Sequence, residues 1–225
     1  MGTITRNAAN NFTTGGVILP AAINDTSVAS LTELENVATG GPMTLIKEIT
    51  ASSSATLSFV HGTDGVVLDS TYPIYRFEFI NCHPQTNNVG FTFNMSTDSG
   101  SNYNVTKTST AFRAIHNETG ADASLAYRTN DDLAQSTAFQ PISPEMGNDA
   151  DECTSGSMTL YNPSSTTFVK HFIATTNLSY HDNYSFNYYV AGYGNTVSAV
   201  NAIRFQMSSG NIDDGKIKLY GIKDS

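Results

Sequence analysis

The sequence has no tryptophan, few basic residues and little charge overall. Lys and Arg together number 11 among 225 residues, and charged residues of both signs make up 14%. Nucleic-acid binding requires clustered Lys and Arg, whereas the basic residues here are scattered singly. The densest group lies within residues 213–224, where three lysines are accompanied by three aspartates. The sequence therefore predicts no nucleic-acid partner.

Long apolar runs are also missing. A membrane-spanning helix needs about 20 consecutive apolar residues, and no run approaches that length. Near the start, Val17-Ile18-Leu19 ends at Pro20. No basic prefix precedes a long apolar stretch, so we expect neither membrane insertion nor a cleaved secretory signal.

Cysteine is scarce. Cys82 and Cys153 are too few for a disulfide framework, and they are either two buried thiols or one bridge. Two buried thiols are the favoured alternative, because free cysteine is among the most buried residue types.

The abundant residues are strand formers and turn formers. The chain contains 12 Phe, 11 Tyr and 17 Gly, with Ser, Thr and Asn common throughout. Thr, Phe and Tyr favour strands, and runs rich in Ala, Glu, Lys and Leu are missing. The composition therefore predicts a mainly β protein, long enough to bury a substantial core.

Composition divides the chain near residue 41. Residues 1–41 are rich in Thr, Asn, Ala and Gly, with Gly15-Gly16 and Gly40-Gly41 as breakers. Such a segment buries too little apolar surface to fold alone. We therefore predict an extended N-terminal arm over residues 1–41, used for attachment or oligomerisation and held by its own domain or by a neighbouring subunit. Residues 42–225 are predicted to form one β-sandwich domain.

Alternating apolar residues mark the strands. Tyr75, Phe77 and Phe79 share one face by a period of two, and Phe91 and Phe93 share another. Strands are predicted at residues 43–49, 55–61, 74–82, 89–95, 108–115, 157–161, 167–175, 184–190, 201–207 and 217–221.

Residues 117–152 are the least strand-like segment. A short helical turn is predicted within residues 125–134, and Pro141 and Pro144 break the pattern that follows. We therefore predict an irregular excursion over residues 117–152.

Nine or ten strands without a crossover helix predict antiparallel sheets. A two-sheet sandwich of jelly-roll type buries many aromatic faces at once. Since each fully buried Phe contributes about 2–3 kcal/mol, such a core folds without a disulfide or a metal ion.

No catalytic constellation stands out. None of the five histidines lies at a zinc-binding spacing. His181-Asp182 has the composition of a triad fragment, but no Gly-x-Ser-x-Gly motif accompanies it. We predict a protein that is not an enzyme and needs no cofactor.

Two acidic groups are candidate calcium sites, because Ca²⁺ takes several carboxylate oxygens from one loop. Asp149, Asp151 and Glu152 do not match the full calcium-loop spacing, and Asp213-Asp214-Gly215 is typical of a plain turn. A solvated loop and a turn are favoured, and whether Ca²⁺ binds stays open.

The strongest candidate for binding is a tyrosine group with asparagines beside it. Aromatic faces next to amides suit core packing, subunit interfaces and sugar stacking, and we rank these three roles in that order. The group consists of Tyr180, Tyr184, Tyr188, Tyr189 and Tyr193.

Several segments together resemble a family of virion structural proteins of tailed bacteriophages, particularly marine phages and cyanophages. The resemblance extends over nearly the whole chain, residues 1–41 included, and its segments contain no catalytic motif. The segments are residues 1–7 (MGTITRN), 72–84 (YPIYRFEFINCHP), 96–100 (STDSG), 162–171 (NPSSTTFVKH), 205–212 (FQMSSGNI) and 216–222 (KIKLYGI).

The resemblance implies a place in a phage particle, as a β-rich homotrimer that contacts other virion proteins such as major capsid or tail proteins. A compact domain with a low-charge polar surface favours a decoration or cement protein on the outside of the head. The alternative is a tail fibre or another receptor-binding appendage that contacts host surface glycans. A fibre usually needs a shaft, for which 41 residues leave little room.

Overall fold

A computed structural model of the chain describes residues 42–224. They form twelve β-strands, all paired antiparallel, and contain no helix. The strands are β1 (Met43–Thr50), β2 (Leu57–Val60), β3 (Ile74–Pro84), β4 (Val89–Ser96), β5 (Lys107–Asn117), β6 (Ala123–Tyr127), β7 (Gln140–Met146), β8 (Thr154–Tyr161), β9 (Lys170–Tyr180), β10 (Tyr184–Gly194), β11 (Ala202–Met207) and β12 (Ile212–Ile222). The predicted arm, residues 1–41, lies outside the described residues.

The strands form two sheets that face each other across the core. The large sheet has the order β1-β12-β3-β8-β9-β10-β5-β6, and the small sheet has the order β7-β4-β11-β2. A single residue pair, Met146 with Tyr180, joins β7 to β9 and so links the two sheets.

Eight of the strands have jelly-roll connectivity. Without β5, β6, β9 and β10, the sheets reduce to β1-β12-β3-β8 and β2-β11-β4-β7, and the chain passes between them at nearly every connection. The other four strands arrive as two hairpins, β5–β6 between β4 and β7, and β9–β10 between β8 and β11. Both hairpins extend the large sheet. The predicted antiparallel, jelly-roll-like sandwich is confirmed.

Aromatic rings fill the space between the sheets. Phe205 on β11 lies at their centre, with five other phenylalanine rings at centroid distances of 5.2 to 6.3 Å. The five are Phe59, Phe77, Phe79, Phe91 and Phe93. Because β2, β3, β4 and β11 all contribute, the rings tie both sheets into one apolar core.

The segment at residues 117–152, predicted to be irregular, contains two strands. β6 occupies part of the predicted helical turn, and β7 contains both Pro141 and Pro144. Proline is tolerated there because β7 pairs with β4 through a shifted register and with β9 at one position only. Few ladder hydrogen bonds depend on the missing N–H groups.

Both cysteines are free thiols. Cys82 is buried and Cys153 is half-buried. Burial raises the pKa of the Cys82 thiol to about 12, and burial, followed by the nearby Asp151 carboxylate, raises the pKa of Cys153.

Candidate interaction face

The four strands at one end of the large sheet expose a continuous surface. Phe172, Phe186 and Ala111 are buried on their inner side, so the alternate residues of β9, β10 and β5 point away from the core. Together with β6 they form what we call the uncharged face. Its residues are His171, Ile173, Thr175, Asn177 and Ser179 on β9; Ser185, Asn187, Tyr189, Ala191 and Tyr193 on β10; Thr108, Thr110, Phe112, Ala114 and His116 on β5; and Ala123, Leu125 and Tyr127 on β6.

The strand register sets these side chains in rows. Thr175 pairs with Tyr189, Tyr189 with Phe112, and Phe112 with Tyr127. The rings of Phe112 and Tyr189 stack with centroids 4.8 Å apart and planes 8° apart. Three neighbouring strands therefore present one aromatic ridge to the outside.

This surface carries no formal charge and exposes several large apolar side chains. Leu125 is 73% exposed, Tyr127 53%, Ile173 50% and Phe112 42%. None of the outward positions is Asp, Glu, Lys or Arg. Exposed apolar patches mark interaction sites, and the centres of protein interfaces are depleted in charge and enriched in Tyr and Phe.

The other half of the same sheet is different. There, outward charges pair within the chain, Arg76 with Glu78, and Lys216 and Lys218 with Glu48 at 3.1 and 3.4 Å. The lysines hold the pKa of the Glu48 carboxyl below its usual range. The boundary between charged and uncharged halves falls at β8.

Beside the aromatic ridge the uncharged face has a depression of about 460 Å³. Ala191 has little side chain to fill it, and Ile173, Tyr193, His171 and Thr110 surround it. The surface therefore offers a ridge next to a hollow, a shape suited to an interdigitating partner.

The five predicted tyrosines do not form one site. Tyr189 and Tyr193 lie on the uncharged face, with the Tyr193 ring 6.1 Å from that of His171. Tyr188 points inward and is fully buried, and its hydroxyl donates a hydrogen bond to Asp131 Oδ2 at 2.7 Å. Burial and this hydrogen bond raise the pKa of the Tyr188 phenol.

Tyr180 and Tyr184 lie together near the β9–β10 turn, away from the other three. The Tyr180 ring stacks on Phe186 at 4.5 Å. The Tyr184 hydroxyl donates to Asp122 at 3.1 Å, which raises the pKa of that phenol. Both rings line a cavity of about 340 Å³ whose other walls include Asp149, Asp151 and Glu118.

The acidic loops have structural partners. Glu152 Oε2 accepts a hydrogen bond from the backbone N–H of Asp149 at 2.8 Å. Asp213 Oδ1 accepts one from the Ser53 hydroxyl at 2.7 Å. In residues 42–224 no three His, Cys, Asp or Glu side chains converge closely enough to hold a metal ion.

His181 and Asp182 lie next to each other at the β9–β10 turn, with Nδ1 3.3 Å from Oδ1. Asp182 is 66% exposed at its side chain. An acid open to solvent orients an imidazole poorly, because water competes for its oxygens.

The residues that sequence reasoning missed are Phe112, Leu125, Tyr127 and Ile173. Each lies in an ordinary strand-like or helix-like pattern, and only the register shows that they meet on one surface. The missing charge in alternate positions of residues 108–116 and 171–179 was the available signal.

Comparisons of the chain with protein-family models, with curated proteins and with solved structures match nothing. Among the described residues, no helix has the length and hydropathy needed to cross a membrane.

Proposed function

We propose that the chain is a non-enzymatic structural protein of a tailed-bacteriophage particle, and that it serves as a decoration or cement protein on the outside of the head. The observation that carries this proposal is the uncharged face. Its exposed apolar side chains, spread over four strands, are costly to leave in water, and burying them against another subunit stabilises an assembly.

The charge distribution supports the same role. The chain has a formal charge of −9, so acidic copies packed closely on a particle repel one another. A surface without carboxylates allows close contact with major capsid or tail proteins, or between copies in a homotrimer, without opposed like charges. The segments that resemble phage virion proteins provide the link to a particle rather than to another kind of assembly.

The proposal is tested on purified particles. The copy number of this chain, measured by gel densitometry against the major capsid protein, should be comparable with that of the capsid protein. A copy number that is a small fraction of this value would favour an appendage, and absence from purified particles would contradict the virion assignment.

A receptor-binding appendage is the second candidate, and the tyrosine-asparagine arrangement favours it. The Asn187 amide donates to the Tyr189 hydroxyl at 3.1 Å, beside the stacked Phe112 ring. Rings next to amide groups are suited to binding a neutral sugar. Binding of the full-length protein to a glycan array, lost in Tyr189→Ala, would support this candidate over decoration.

A further inference from the structure

The large sheet has two edges, β1 and β6, and within residues 42–224 the β6 edge has none of the usual protection. Within residues 42–224, β6 pairs only with β5. All five of its residues, Ala123 to Tyr127, are exposed. Sheet edges are usually protected by charged residues, proline or a bulge. The sequence Ala-Ser-Leu-Ala-Tyr contains no charged residue or proline, and its pairing with β5 is regular.

The hydrogen bonds to β5 show which backbone groups are open. The Arg128 N–H donates to the Ala111 carbonyl at 2.9 Å, and the Asn117 N–H donates to the Asp122 carbonyl at 3.0 Å. Backbone groups alternate between the two sides of a strand. Residues 124 and 126 therefore face β5, while the N–H and C=O groups of Ala123, Leu125 and Tyr127 face the free edge.

We propose that β6 pairs antiparallel with β6 of a second copy of this chain, about a two-fold axis at Leu125. Leu125 then lies opposite its own counterpart, and Ala123 lies opposite Tyr127 of the second copy. All three open residues on each strand are used, which gives about six backbone hydrogen bonds. The two large sheets become one continuous sheet, and the two uncharged faces become one surface.

The side chains suit a second copy. In a two-fold contact, if residue i of one copy contacts residue j of the other, then j of the first copy also contacts i of the second. Here the small Ala123 meets the large Tyr127 on both sides, and Leu meets Leu at the centre. Among the described residues, Leu125 is the most exposed of the large apolar side chains, at 73%, so it gains most from being covered.

The charges at the strand ends also suit self-pairing. Asp122 precedes β6 and Arg128 follows it, so the axis at Leu125 sets each acid opposite a base. Arg128 is already bonded to Asp131 and Glu145, so the benefit is that no like charges oppose each other. For two chains of formal charge −9, this edge allows close approach with little repulsion.

Cross-linking of the full-length protein tests the axis directly. Paired residues at this position have Cα atoms about 5.5 Å apart, within the range of about 4.4–6.8 Å that a disulfide requires. Leu125→Cys should give a covalent dimer on a non-reducing gel after mild oxidation. Val197→Cys, at a 57% exposed residue outside β6, and the wild type with its two native thiols should remain monomeric on the same gel.

Mass measurement provides the second test. Leu125→Lys sets two like charges opposite each other. The mass of the protein in solution, measured by light scattering, should therefore fall to half that of the wild type and of Val197→Lys. This holds for a dimer of single chains and for paired trimers. The proposal would be overturned if Leu125→Cys gave no cross-link and Leu125→Lys left the mass unchanged. The same result would be expected if another strand covered β6. The inference does not rest on the virion role, because the copy number in particles is measured independently.

Discussion

Two lysines lie in the protein interior without a carboxylate partner among the described residues. Lys107 is fully buried, and its ammonium group donates to Asn94 Oδ1 at 2.5 Å and to the Val105 carbonyl at 2.8 Å. Lys170 donates to the carbonyls of Phe168 and Thr196. Burial lowers the pKa of Lys107 to about 7 and also lowers that of Lys170, because neutral oxygens compensate poorly for lost hydration.

Stability should therefore rise with pH just above neutrality. Between pH 7 and 8.5 the unfolded chain keeps a proton on Lys107 that the folded chain has lost, and the free energy of unfolding should rise by about 1 kcal/mol per pH unit. Below pH 7 the side chain is charged in both states and the rise stops. Urea unfolding across this range measures the slope.

The matched control for this prediction is Lys107→Met, which keeps the length of the side chain and removes the charge. The slope of its unfolding free energy against pH should be smaller, and the part that remains comes from Lys170. Above about pH 8.5 the rise should level off, since the unfolded chain then loses the proton of the Cys82 thiol, which the fold keeps, and this loss offsets the contribution of Lys107. A wild-type stability that is flat from pH 7 to 8.5 would mean that Lys107 stays protonated in the fold.

The two thiols should react at different rates. A thiol reacts as the thiolate, and Cys82 is both fully buried and raised in pKa to about 12. In a titration with a chromogenic disulfide reagent, the native protein should slowly release one equivalent of the coloured thiolate, because only the half-buried Cys153 reacts. The second equivalent should appear only in denaturant. Cys153→Ser should abolish the native signal, and a persisting signal would show that Cys82 is accessible.

At the scale of elements, a polar network fastens the segment between β6 and β7 to the inserted hairpins. Asp131 accepts from the Tyr188 hydroxyl and from Arg128 Nε at 2.7 and 2.9 Å. Arg128 and Arg113 both bond Glu145 on β7. The network joins β5, β7 and β10, and it explains why one of the predicted binding tyrosines is a buried structural residue.

Removal of one hydroxyl tests this network. Tyr188→Phe leaves Asp131 without one donor in a buried place, and it should lower the free energy of unfolding by about 1–2 kcal/mol. Tyr189→Phe makes the same change on the neighbouring half-buried residue, whose hydroxyl only accepts from Asn187, and should change stability by less than about 0.5 kcal/mol. Equal effects in urea unfolding would argue against the network.

Strand periodicity predicts most of the elements, and β3 shows the reason. Tyr75, Phe77 and Phe79 alternate cleanly because one side of β3 faces the core and the other faces solvent. Periodicity does not predict β7. Its prolines signal a break, yet the shifted pairing with β4 needs few of its N–H groups, and that pairing is a tertiary property.

The candidate surface depends even more on tertiary structure. Tyr189 and Phe112 are far apart in sequence and stack only because β5 and β10 pair in one register. Tyr188 and Tyr189 are neighbours that point to opposite sides of the sheet. The tyrosine grouping therefore indicates the right strand, but sequence proximity cannot separate core rings from surface rings.

At the scale of the whole molecule, the proposed decoration role predicts that the uncharged face decides attachment to the particle. Ile173→Asp places a carboxylate on the uncharged face, beside its depression, where a partner that buries it must remove its water shell. The residue is 50% exposed in the free protein, so the thermal midpoint should change little. Binding of the purified protein to particles that lack it should weaken by at least about tenfold, which corresponds to about 1.4 kcal/mol.

The control for this prediction is Phe168→Asp, because Phe168 is 68% exposed but lies outside the four strands of the face. Both variants add the same charge to a chain that is already at −9, so a general electrostatic effect weakens both equally. Loss confined to Ile173→Asp would locate the contact on the uncharged face. If neither variant loses binding, attachment uses another part of the chain.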